Sequence, residues 1–273
     1  MRNGLFDSDE PLESEADVSE KVMDELLAQA HRRLDPALRR IRRERVAVGV
    51  VETAVAPLLI VHGERGLMAV RFLDIGDQAG FLEKLREKFD LEKDAKMAAT
   101  IAQEIESLMR GDARAIDHRP VDLRLVESAF QRRALQRLRS VPAGALTSYQ
   151  ALAAAAGSPS AQRAIGNTVA SNPIAIYVPC HRVIKSDGSI GNYGGGVERK
   201  IALLRAEGFR PSEDRRIPSG AVYGHWGTRI FCRPTCRAAQ RARRDRMLIY
   251  AGVQGATKAG LRPCKLCHPE QAA

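Results

Sequence analysis

The stretch YVPCHRVIKSDGSIGNYGGG, residues 177–196, places a cysteine directly before a histidine and a glycine-rich loop shortly after them. Cysteine attacks as a thiolate, and a free thiol has a pKa of about 8.5, so a nucleophilic Cys180 needs a base or a positive field nearby. His181 is the nearest base, but successive side chains of an extended segment point to opposite faces, so contact needs a turn or a bridging water. These two residues alone leave a Cys–His nucleophile open and favour an inert buried cysteine beside a surface histidine.

The residues that flank this pair favour a ligand site. Pro179 restricts the backbone ahead of the cysteine, and the run GNYGGG follows at residues 191–196. Glycines let backbone amides approach a flat ligand closely, and Tyr193 offers a ring face and a hydroxyl. A flexible surface loop is the alternative interpretation of this run.

The other four cysteines form two close pairs, Cys232 with Cys236 and Cys264 with Cys267, separated by 27 residues. Two such pairs are typical of a tetrahedral zinc site, and disulfides are the less favoured alternative in a reducing compartment. The sequence therefore predicts one Zn²⁺ held by four thiolates, which leaves Cys180 as the single unpaired cysteine.

The charge distribution points to a polyanionic partner. The chain has a net charge of +10 and a pI of about 9.7, and such an excess favours nucleic acid, although a protein can be basic without one. Residues 212–273 hold twelve Lys and Arg against four Asp and Glu. We interpret five of these arginines as a phosphate-binding stripe, with a solvated helix face as the alternative: Arg237, Arg241, Arg243, Arg244 and Arg246.

Targeting signals are missing from the sequence as given. No run approaches the ~18 apolar residues of a membrane span, and the acidic N-terminal residues lack the pattern of a secretory signal. We therefore expect no membrane partner, and a cytoplasmic, nucleoid-associated protein.

The elements that must position these residues begin after an acidic segment. Residues 1–18 are predicted to be disordered, and residues 19–44 to form a helix of unknown role with Val22, Leu26 and Ala30 on one face. Apolar runs at 46–51, 58–62 and 67–73 predict strands, and periodic runs at 80–89 and 95–110 predict helices.

The segment before Cys180 is predicted to form two helices joined by a tight turn at Gly157. Thr147 with Gln150 fits a capping box, as does Ser128 with Gln131 further upstream, and Ser158 with Pro159 can begin the second helix. Residues 147–171 match a helix-turn-helix, with an ordinary helical hairpin as the alternative. The second helix has only small residues around Arg163, which favours close approach of another surface.

With these elements in place, residues 145–208 resemble the O6-alkylguanine-DNA alkyltransferase family. The resemblance rests on five motifs in the family's order and spacing: TSYQALAAAAG, RAIGNTVASNP, VPCHRVI, GNYGGG and RKIALLRAEG. It implies that Cys180 accepts the alkyl group and that His181 takes the thiol proton through a water. It further implies that Glu207 orients and charges that histidine, and that Asn172 braces the helices against the active-site loop.

The same resemblance implies the residues that contact DNA. Tyr149 falls beside the 3′ phosphate of the flipped nucleotide, and Arg163 fills the gap that the flipped base leaves. Tyr193 and the Gly194 amide hold the O6 side of guanine. Some relatives carry Ser at the position of Gly194, so a more open pocket for larger alkyl groups is expected here.

The C-terminal stretch resembles the metal-binding domain of Ada-type proteins through TRIFCRPTCR at 228–237 and AGLRPCKLCHP at 259–269. This implies zinc on the four paired cysteines, DNA contacts at Arg237 and Arg262, and Cys232 as a possible acceptor of methyl from a phosphotriester. The order of the two domains is reversed relative to full Ada proteins, so triester repair is less firmly implied than base repair.

Together these inferences predict an α/β plus α fold for a protein that repairs DNA by direct reversal. We expect an irreversible, stoichiometric transfer from O6 of guanine, and from O4 of thymine, in double-stranded DNA to Cys180, by a monomer that needs Zn²⁺ but no organic cofactor. An Ada-like transcription regulator and a non-catalytic lesion binder are the alternatives. The expected domains are an unassigned segment at 1–45, an RNase-H-like unit at 46–124, a helix-turn-helix catalytic domain at 125–210, a linker at 211–220 and a separately folding zinc domain at 221–273.

Overall fold

The computed structural model describes residues 23, 25–29, 43–112 and 114–271. The chain divides into two compact units, Met1–Glu44 and Arg45–Ala273. In the first unit, residues 25–29 are helical, as the sequence predicts. The disorder predicted for 1–18 and most of the helix predicted for 19–44, including Val22 and Ala30, lie outside the described residues.

The first part of the second unit is a four-stranded sheet with two helices. Its elements in chain order are β1 Arg45–Val51, β2 Leu58–Gly63, β3 Gly66–Phe72, α1 Gln78–Arg86, β4 Asp90–Lys93 and α2 Ala95–Met109. The strand order is β3-β2-β1-β4, with β1 antiparallel to β2, β2 antiparallel to β3, and β1 parallel to β4. The three apolar strands and both helices predicted from the sequence are confirmed.

Helix α2 covers this sheet by packing its apolar face against β1. Its buried side chains recur at three- and four-residue spacing, as in Ala98, Ile101 and Ile105, which is the pattern of one helix face. The approach is close, since a Cβ added to Gly49 would lie 2.6 Å from the Ala98 Cβ. Only glycine fits at this crossing without a shift of the helix.

The rest of the unit alternates short helices with short strands. The elements in chain order are α3 Ala129–Arg139, β5 Ala145–Ser148, α4 Tyr149–Ala155, α5 Gln162–Ala170, β6 Val183–Ile184, α6 Val197–Ala206, β7 Val222–His225, β8 Ile230–Cys232, α7 Arg237–Arg241, β9 Met247–Tyr250, α8 Val253–Lys258 and β10 Arg262–Pro263. Three single turns of 3₁₀-helix accompany them, at Cys180–Arg182, Arg244–Arg246 and Pro269–Gln271.

These strands form one six-stranded sheet in the order β10-β8-β7-β9-β5-β6. Strand β9 of the cysteine-rich segment pairs antiparallel with β5, so that Leu146 lies opposite Ile249. The hydrophobic core is likewise shared, because Val222, Phe231 and Tyr250 belong to the same buried cluster as Leu152. Residues 45–273 therefore cluster as one compact unit, and the separate folding of the C-terminal domain stays a prediction. The domain boundaries themselves stay a prediction.

Helix caps differ from the sequence interpretation at two of three places. Ser128 caps α3 as predicted, accepting from the Gln131 amide. The cap of α4 is Ser148 rather than Thr147, since Thr147 is buried as a residue of β5 and the Ser148 hydroxyl accepts from the Ala151 amide at 3.0 Å. Helix α5 begins at Gln162 rather than at Pro159, because residues 158–161 form a turn.

The mixed α/β class is confirmed, whereas the RNase-H-like description and the helix-turn-helix stay predictions. Among the residues that the structure describes, no helix combines the length and the apolar character needed to cross a membrane.

Candidate active site and metal centre

The loop that leads to Cys180 is fixed by the N-terminal sheet. The Val70 amide donates to the Pro173 carbonyl at 2.9 Å, and the Ala175 amide donates to the Val70 carbonyl at 3.0 Å. Ile176, fully buried, has a φ of 71°, a conformation that a β-branched residue adopts only when its surroundings impose it. The chain then turns through Cys180–Arg182, so the cysteine begins a single 3₁₀ turn.

Asn172 joins this loop to the reactive sulfur. Its Nδ2 lies 2.7 Å from the Val178 carbonyl oxygen and 3.1 Å from Cys180 Sγ, and its Oδ1 accepts from the Ile174 amide at 3.1 Å. One side chain thus sets the path of the loop and donates to the thiol at its end. A donor at this position stabilises negative charge that develops on the sulfur.

His181 and Glu207 form a buried pair beside the cysteine. His181 Nε2 lies 2.9 Å from Glu207 Oε1, and both side chains are inaccessible to solvent. Burial lowers the pKa of His181 below its ordinary value, although the carboxylate opposes the shift. Its Nδ1 is buried without a hydrogen-bond partner among the described residues, so a neutral ring that donates to Glu207 through Nε2 carries a free lone pair on Nδ1.

Arg182 holds the other side of the carboxylate. Its Nε lies 2.9 Å from Glu207 Oε2, its Nη2 lies 2.7 Å from Oε1, and its Nη1 donates to the Val141 carbonyl at 2.6 Å. Burial alone would raise the pKa of Glu207, but its interactions with His181 and Arg182, which include hydrogen bonds from both side chains, lower it to about 2. Glu207 is therefore a permanent carboxylate at neutral pH.

A second group of charges connects this centre to the loop after α2. Arg182 Nη1 lies 3.3 Å from Asp117 Oδ1, and Arg139 Nη2 donates to the Asp117 carbonyl at 2.7 Å. In the same region, the Tyr177 hydroxyl donates to Glu104 at 2.7 Å, and Arg119 pairs with the same carboxylate. The active-site loop is thus tied to α2 as well as to β3.

The thiol itself lies in a protonated resting state. Burial raises the pKa of Cys180, and the Asn172 hydrogen bond and the Lys200 charge offset part of this rise. The Lys200 ammonium is buried, donates to the carbonyls of Val183 and Ile190, and has a pKa lowered to about 8 by burial. Because the thiol is protonated, the reaction needs a base at the site rather than a preformed thiolate.

A cavity of about 190 Å³ opens onto the sulfur, and its lining includes Cys180, Asn172, Tyr193 and Gly194. Burial raises the pKa of the Tyr193 hydroxyl, and the nearby Cys180 sulfur raises it further. This hydroxyl has no hydrogen-bond partner among the described residues. A Cβ on Gly194 would lie 3.3 Å from the Ala170 carbonyl oxygen. A serine there would therefore narrow this cavity.

The predicted DNA-contacting residues lie on the helices beside this cavity. Tyr149 is half-buried at the start of α4, and Cys180 is among the groups that raise its pKa, after burial. On α5, Arg163 is exposed, and so are its small neighbours Ala164 and Ala170. This face can approach another surface closely, with Arg163 as its long projection.

The four paired cysteines converge on one point. The sulfur atoms of Cys232, Cys236, Cys264 and Cys267 all lie within 4.8 Å of one another. Sulfurs around a tetrahedral zinc, with Zn–S bonds of about 2.3 Å, are about 3.8 Å apart. The ligand set and its spacing therefore fit Zn²⁺, which when bound holds β8, the start of α7 and the end of the chain together.

The four ligands differ in their surroundings. Cys267 Sγ accepts from the Arg233 amide and Cys264 Sγ from the Leu266 amide, each at 3.4 Å, whereas Cys232 Sγ accepts from no amide among the described residues. Cys232 and Cys264 also line a surface cavity of about 440 Å³, together with Arg262 and Lys265. The exposed Arg237 lies at the start of α7.

Two residues of the site were missed by the sequence interpretation. Arg182 stands within the PCHR motif, but nothing local indicates that it is fully buried against Glu207. Lys200 reads as one charge on an amphipathic helix, yet it is wholly buried. The available signal for Lys200 was its position, since it lies on the same face of α6 as Leu203 and Leu204, which are also buried.

Comparison with known families agrees with this geometry. The model described as "6-O-methylguanine DNA methyltransferase, DNA binding domain" matches residues 129–209, and the "Metal binding domain of Ada" matches residues 210–270. The chain belongs to the 6-O-methylguanine DNA methyltransferase family and carries a metal-binding domain of the Ada type after it.

Individual curated relatives match parts of the chain. The bifunctional transcriptional activator/DNA repair enzyme Ada of Escherichia coli is 33% identical over 59% of this chain and 45% of its own length. The methylated-DNA–protein-cysteine methyltransferase of Rattus norvegicus is 45% identical over 40% of this chain and 51% of its own. The chain thus spans about half the length of these curated relatives.

One solved structure is similar over most of its length. The crystal structure of Mycobacterium tuberculosis OGT in complex with DNA is 30% identical, with a TM-score of 0.50. The similarity covers 59% of this chain and 93% of that one.

We expect the full chain to hold one zinc ion that needs all four paired cysteines. Cys264→Ala leaves three thiolates, so bound zinc measured by elemental mass spectrometry should fall well below one per molecule, and the melting temperature should fall because bound metal stabilises the folded state. Cys180→Ser, which removes the fifth cysteine, is the matched control and should keep one zinc. Full zinc content in Cys264→Ala would contradict the four-cysteine site.

Proposed function

We propose that the protein repairs alkylated DNA by moving an alkyl group from O6 of guanine, or from O4 of thymine, onto Cys180 Sγ. The observation that carries the proposal is the thiol at the base of a cavity, bonded by Asn172 and followed by a buried His181–Glu207 pair. Relatives named methylated-DNA–protein-cysteine methyltransferase support the same reaction.

The step balances without a cofactor. A base removes the thiol proton, the sulfur attacks the alkyl carbon, the carbon–oxygen bond breaks and the nucleobase leaves with the bonding electrons. His181 Nδ1 is the base that the geometry offers, through one bridging water, because its Nε2 faces Glu207 and its lowered pKa keeps the ring neutral. Among the described residues lining the cavity no group is placed to hydrolyse a thioether, so each molecule acts once.

Glu207 and Arg182 act on His181, the general base, rather than on the substrate. The carboxylate stabilises the imidazolium that forms when His181 accepts the proton, and Arg182 keeps that carboxylate ionised and oriented. As the carbon–oxygen bond breaks, the departing dealkylated base needs a hydrogen-bond donor near its O6 side. The hydroxyls of Tyr149 and Tyr193 and the Gly194 amide are the groups that we assign to this task.

Helices α4 and α5 are proposed to be a helix-turn-helix that binds the duplex. A base inside a duplex cannot reach a buried thiol, so the nucleotide must leave the stack, at a cost of a few kcal/mol. The exposed face of α5 has small residues around Arg163, which lets the helix approach DNA and lets the guanidinium enter the space that the base vacates. The similarity to an OGT structure in complex with DNA supports this arrangement.

The first prediction of this proposal tests whether Cys180 accepts the alkyl group. A duplex that contains O6-methylguanine should add one methyl mass to the peptide that carries Cys180, and peptides carrying the other four cysteines should stay unchanged. Cys180→Ser should abolish the transfer, because a hydroxyl is far less acidic than a thiol. Normal methyl uptake by this variant, or a methyl on another cysteine, would overturn the assignment.

The second prediction separates base extrusion from chemistry. Arg163→Ala should slow repair of a methylated duplex by at least tenfold and change the reaction with a free O6-alkylguanine base little, since the free base needs no extrusion. Arg65→Ala, at the exposed β2–β3 turn, removes the same charge away from α5 and should repair the duplex normally. Equal losses by Arg163→Ala on both substrates would show a different role for Arg163.

A second activity is favoured by the zinc site. We propose that Cys232 accepts a methyl from a methylphosphotriester, because its sulfur lacks an amide donor among the described residues and lines an open cavity beside Arg262 and Lys265. A zinc tetrathiolate has a net charge of −2, which makes its sulfurs electron-rich, and methylation reduces that charge. Zinc, when bound, would keep the thiolates ionised, and Arg262 and Lys265 would attract the DNA backbone to the cavity. As the sulfur–carbon bond forms, the carbon–oxygen bond to the phosphotriester breaks and a phosphodiester leaves.

Peptide mapping distinguishes this activity from simple DNA binding. Methylphosphotriester DNA should add a methyl to the Cys232 peptide in the wild type and equally in Cys180→Ser, since the two acceptors are independent. DNA affinity should then rise, most clearly at low salt. An unmodified Cys232 under conditions where Cys180 reacts completely would leave the zinc unit as a DNA-binding element alone.

The remaining proposals concern the oligomeric state, the form of DNA and the location in the cell. We propose a monomer that acts on double-stranded DNA in the nucleoid of the cytoplasm. A pure lesion binder would need neither the thiol nor the His181–Glu207 pair, so the geometry favours an enzyme. A role in transcription regulation rests only on the names of relatives, such as the Ada proteins of Escherichia coli and Salmonella typhimurium.

A further inference from the structure

A second cleft lies between two parts of the chain, which we call the alkyltransferase unit (residues 125–210) and the zinc unit (residues 221–271). It has a volume of about 280 Å³, and the following polar side chains are part of its lining: Ser148, Gln150, Lys185 and Ser186 from one unit and Gln240 and Arg244 from the other. We refer to it as the joint cleft. Neither the family assignments nor the active site accounts for it.

The two walls of the joint cleft are held in a fixed relation. Strand β9 pairs with β5, placing Ile249 opposite Leu146, and the turn Arg244–Arg246 packs against α4. Leu146, Ile184 and Ile249 also belong to one buried cluster beneath the cleft. The backbone positions that carry Lys185 and Arg244 are therefore fixed relative to each other.

The electrostatics of the joint cleft favour an anion. Among the described residues no acidic side chain lines it, and neither Lys185 nor Arg244 forms an ion pair with a described residue. Asp187, which is two residues from Lys185 and interacts with its charge, also accepts from the Ser189 amide and hydroxyl, and Asp245 pairs with Arg243. Two cations with hydroxyl and amide donors between them are the groups that bind a phosphodiester.

The surroundings identify the anion as part of a long polymer. One wall is α4, which packs against the proposed DNA-binding helix α5. From the other wall a row of exposed arginines continues along α7, where Arg237 and Arg241 are four residues apart and share a face. A single small anion would leave this row unused, whereas a DNA strand runs along it.

We propose that the joint cleft binds a backbone phosphate of the same duplex whose base enters the Cys180 cavity. This inference rests on the proposed function, since it takes DNA as the substrate. Ala239, Met247 and Tyr223 line both the joint cleft and the Cys232 cavity. A DNA strand bound in the joint cleft would therefore be separated from the Cys232 sulfur by one layer of side chains.

The test uses the full chain and an unmodified duplex, with affinity measured by fluorescence anisotropy over a series of salt concentrations. The double variant K185A/R244A should reduce the slope of log K against log salt by about 0.9 for each phosphate that the variant no longer neutralises. The double variant R65A/K258A removes two exposed charges elsewhere and should keep the wild-type slope. The charge-retaining pair K185R/R244K should also keep it. Zinc content and melting temperature establish that each variant is folded.

A second arm asks whether both units contact one duplex. At limiting concentrations of O6-methylguanine duplex, methyl uptake by K185A/R244A should be several-fold slower than by R65A/K258A. An unchanged salt slope would refute phosphate binding in the joint cleft. A reduced slope with an unchanged rate of methyl uptake would refute the proposal that one duplex contacts both units. Absence of methyl uptake by the wild type would refute the proposed function instead, and the salt slopes would still decide whether the cleft binds DNA.

Discussion

The catalytic part of the molecule depends on one guanidinium group that water cannot reach. Arg182 bonds to Glu207, Asp117 and the Val141 carbonyl, and so joins the end of α6, the loop after α2 and the end of α3 at one point. Removing one member of a buried ion pair costs about 3–5 kcal/mol, because the other charge is left without compensation. Glu207 also bonds to His181. The Arg182–Glu207 ion pair therefore both stabilises the fold and orients the histidine that we propose as the general base.

This arrangement explains why the thiol can be buried and still be reactive. A buried cysteine resists ionisation, and a buried histidine loses its own proton readily, so the two desolvation effects leave a protonated nucleophile beside a neutral base. The permanent charges beside this pair are those of the Glu207 carboxylate and the Arg182 guanidinium, which neutralise each other. The site therefore carries little net charge at rest and acquires charge only as the reaction proceeds.

Residues whose role is local could be predicted from the sequence, whereas residues whose role depends on distant segments could not. The apolar runs of β1 to β3 and the four-cysteine spacing predict their structures correctly, because composition and spacing are properties of short stretches. Strand β4, with the polar sequence DLEK, has no such pattern and forms only because β1 presents an edge to it. Ser148 rather than Thr147 caps α4, because Thr147 is buried within β5 whereas the Ser148 hydroxyl reaches the Ala151 amide. Burial of Arg182 has no local signature at all.

The pairing of β5 with β9 has a consequence for the order in which the protein can be made. Strand β5 is complete about a hundred residues before Met247–Tyr250 leaves the ribosome, and until then its edge is open. Open edges pair with other chains, and contacts between distant segments form slowly. The chain is therefore most exposed to pairing with other chains between the synthesis of β5 and the synthesis of β9, and the sheet that contains β5 is completed only when the cysteine-rich segment has been made.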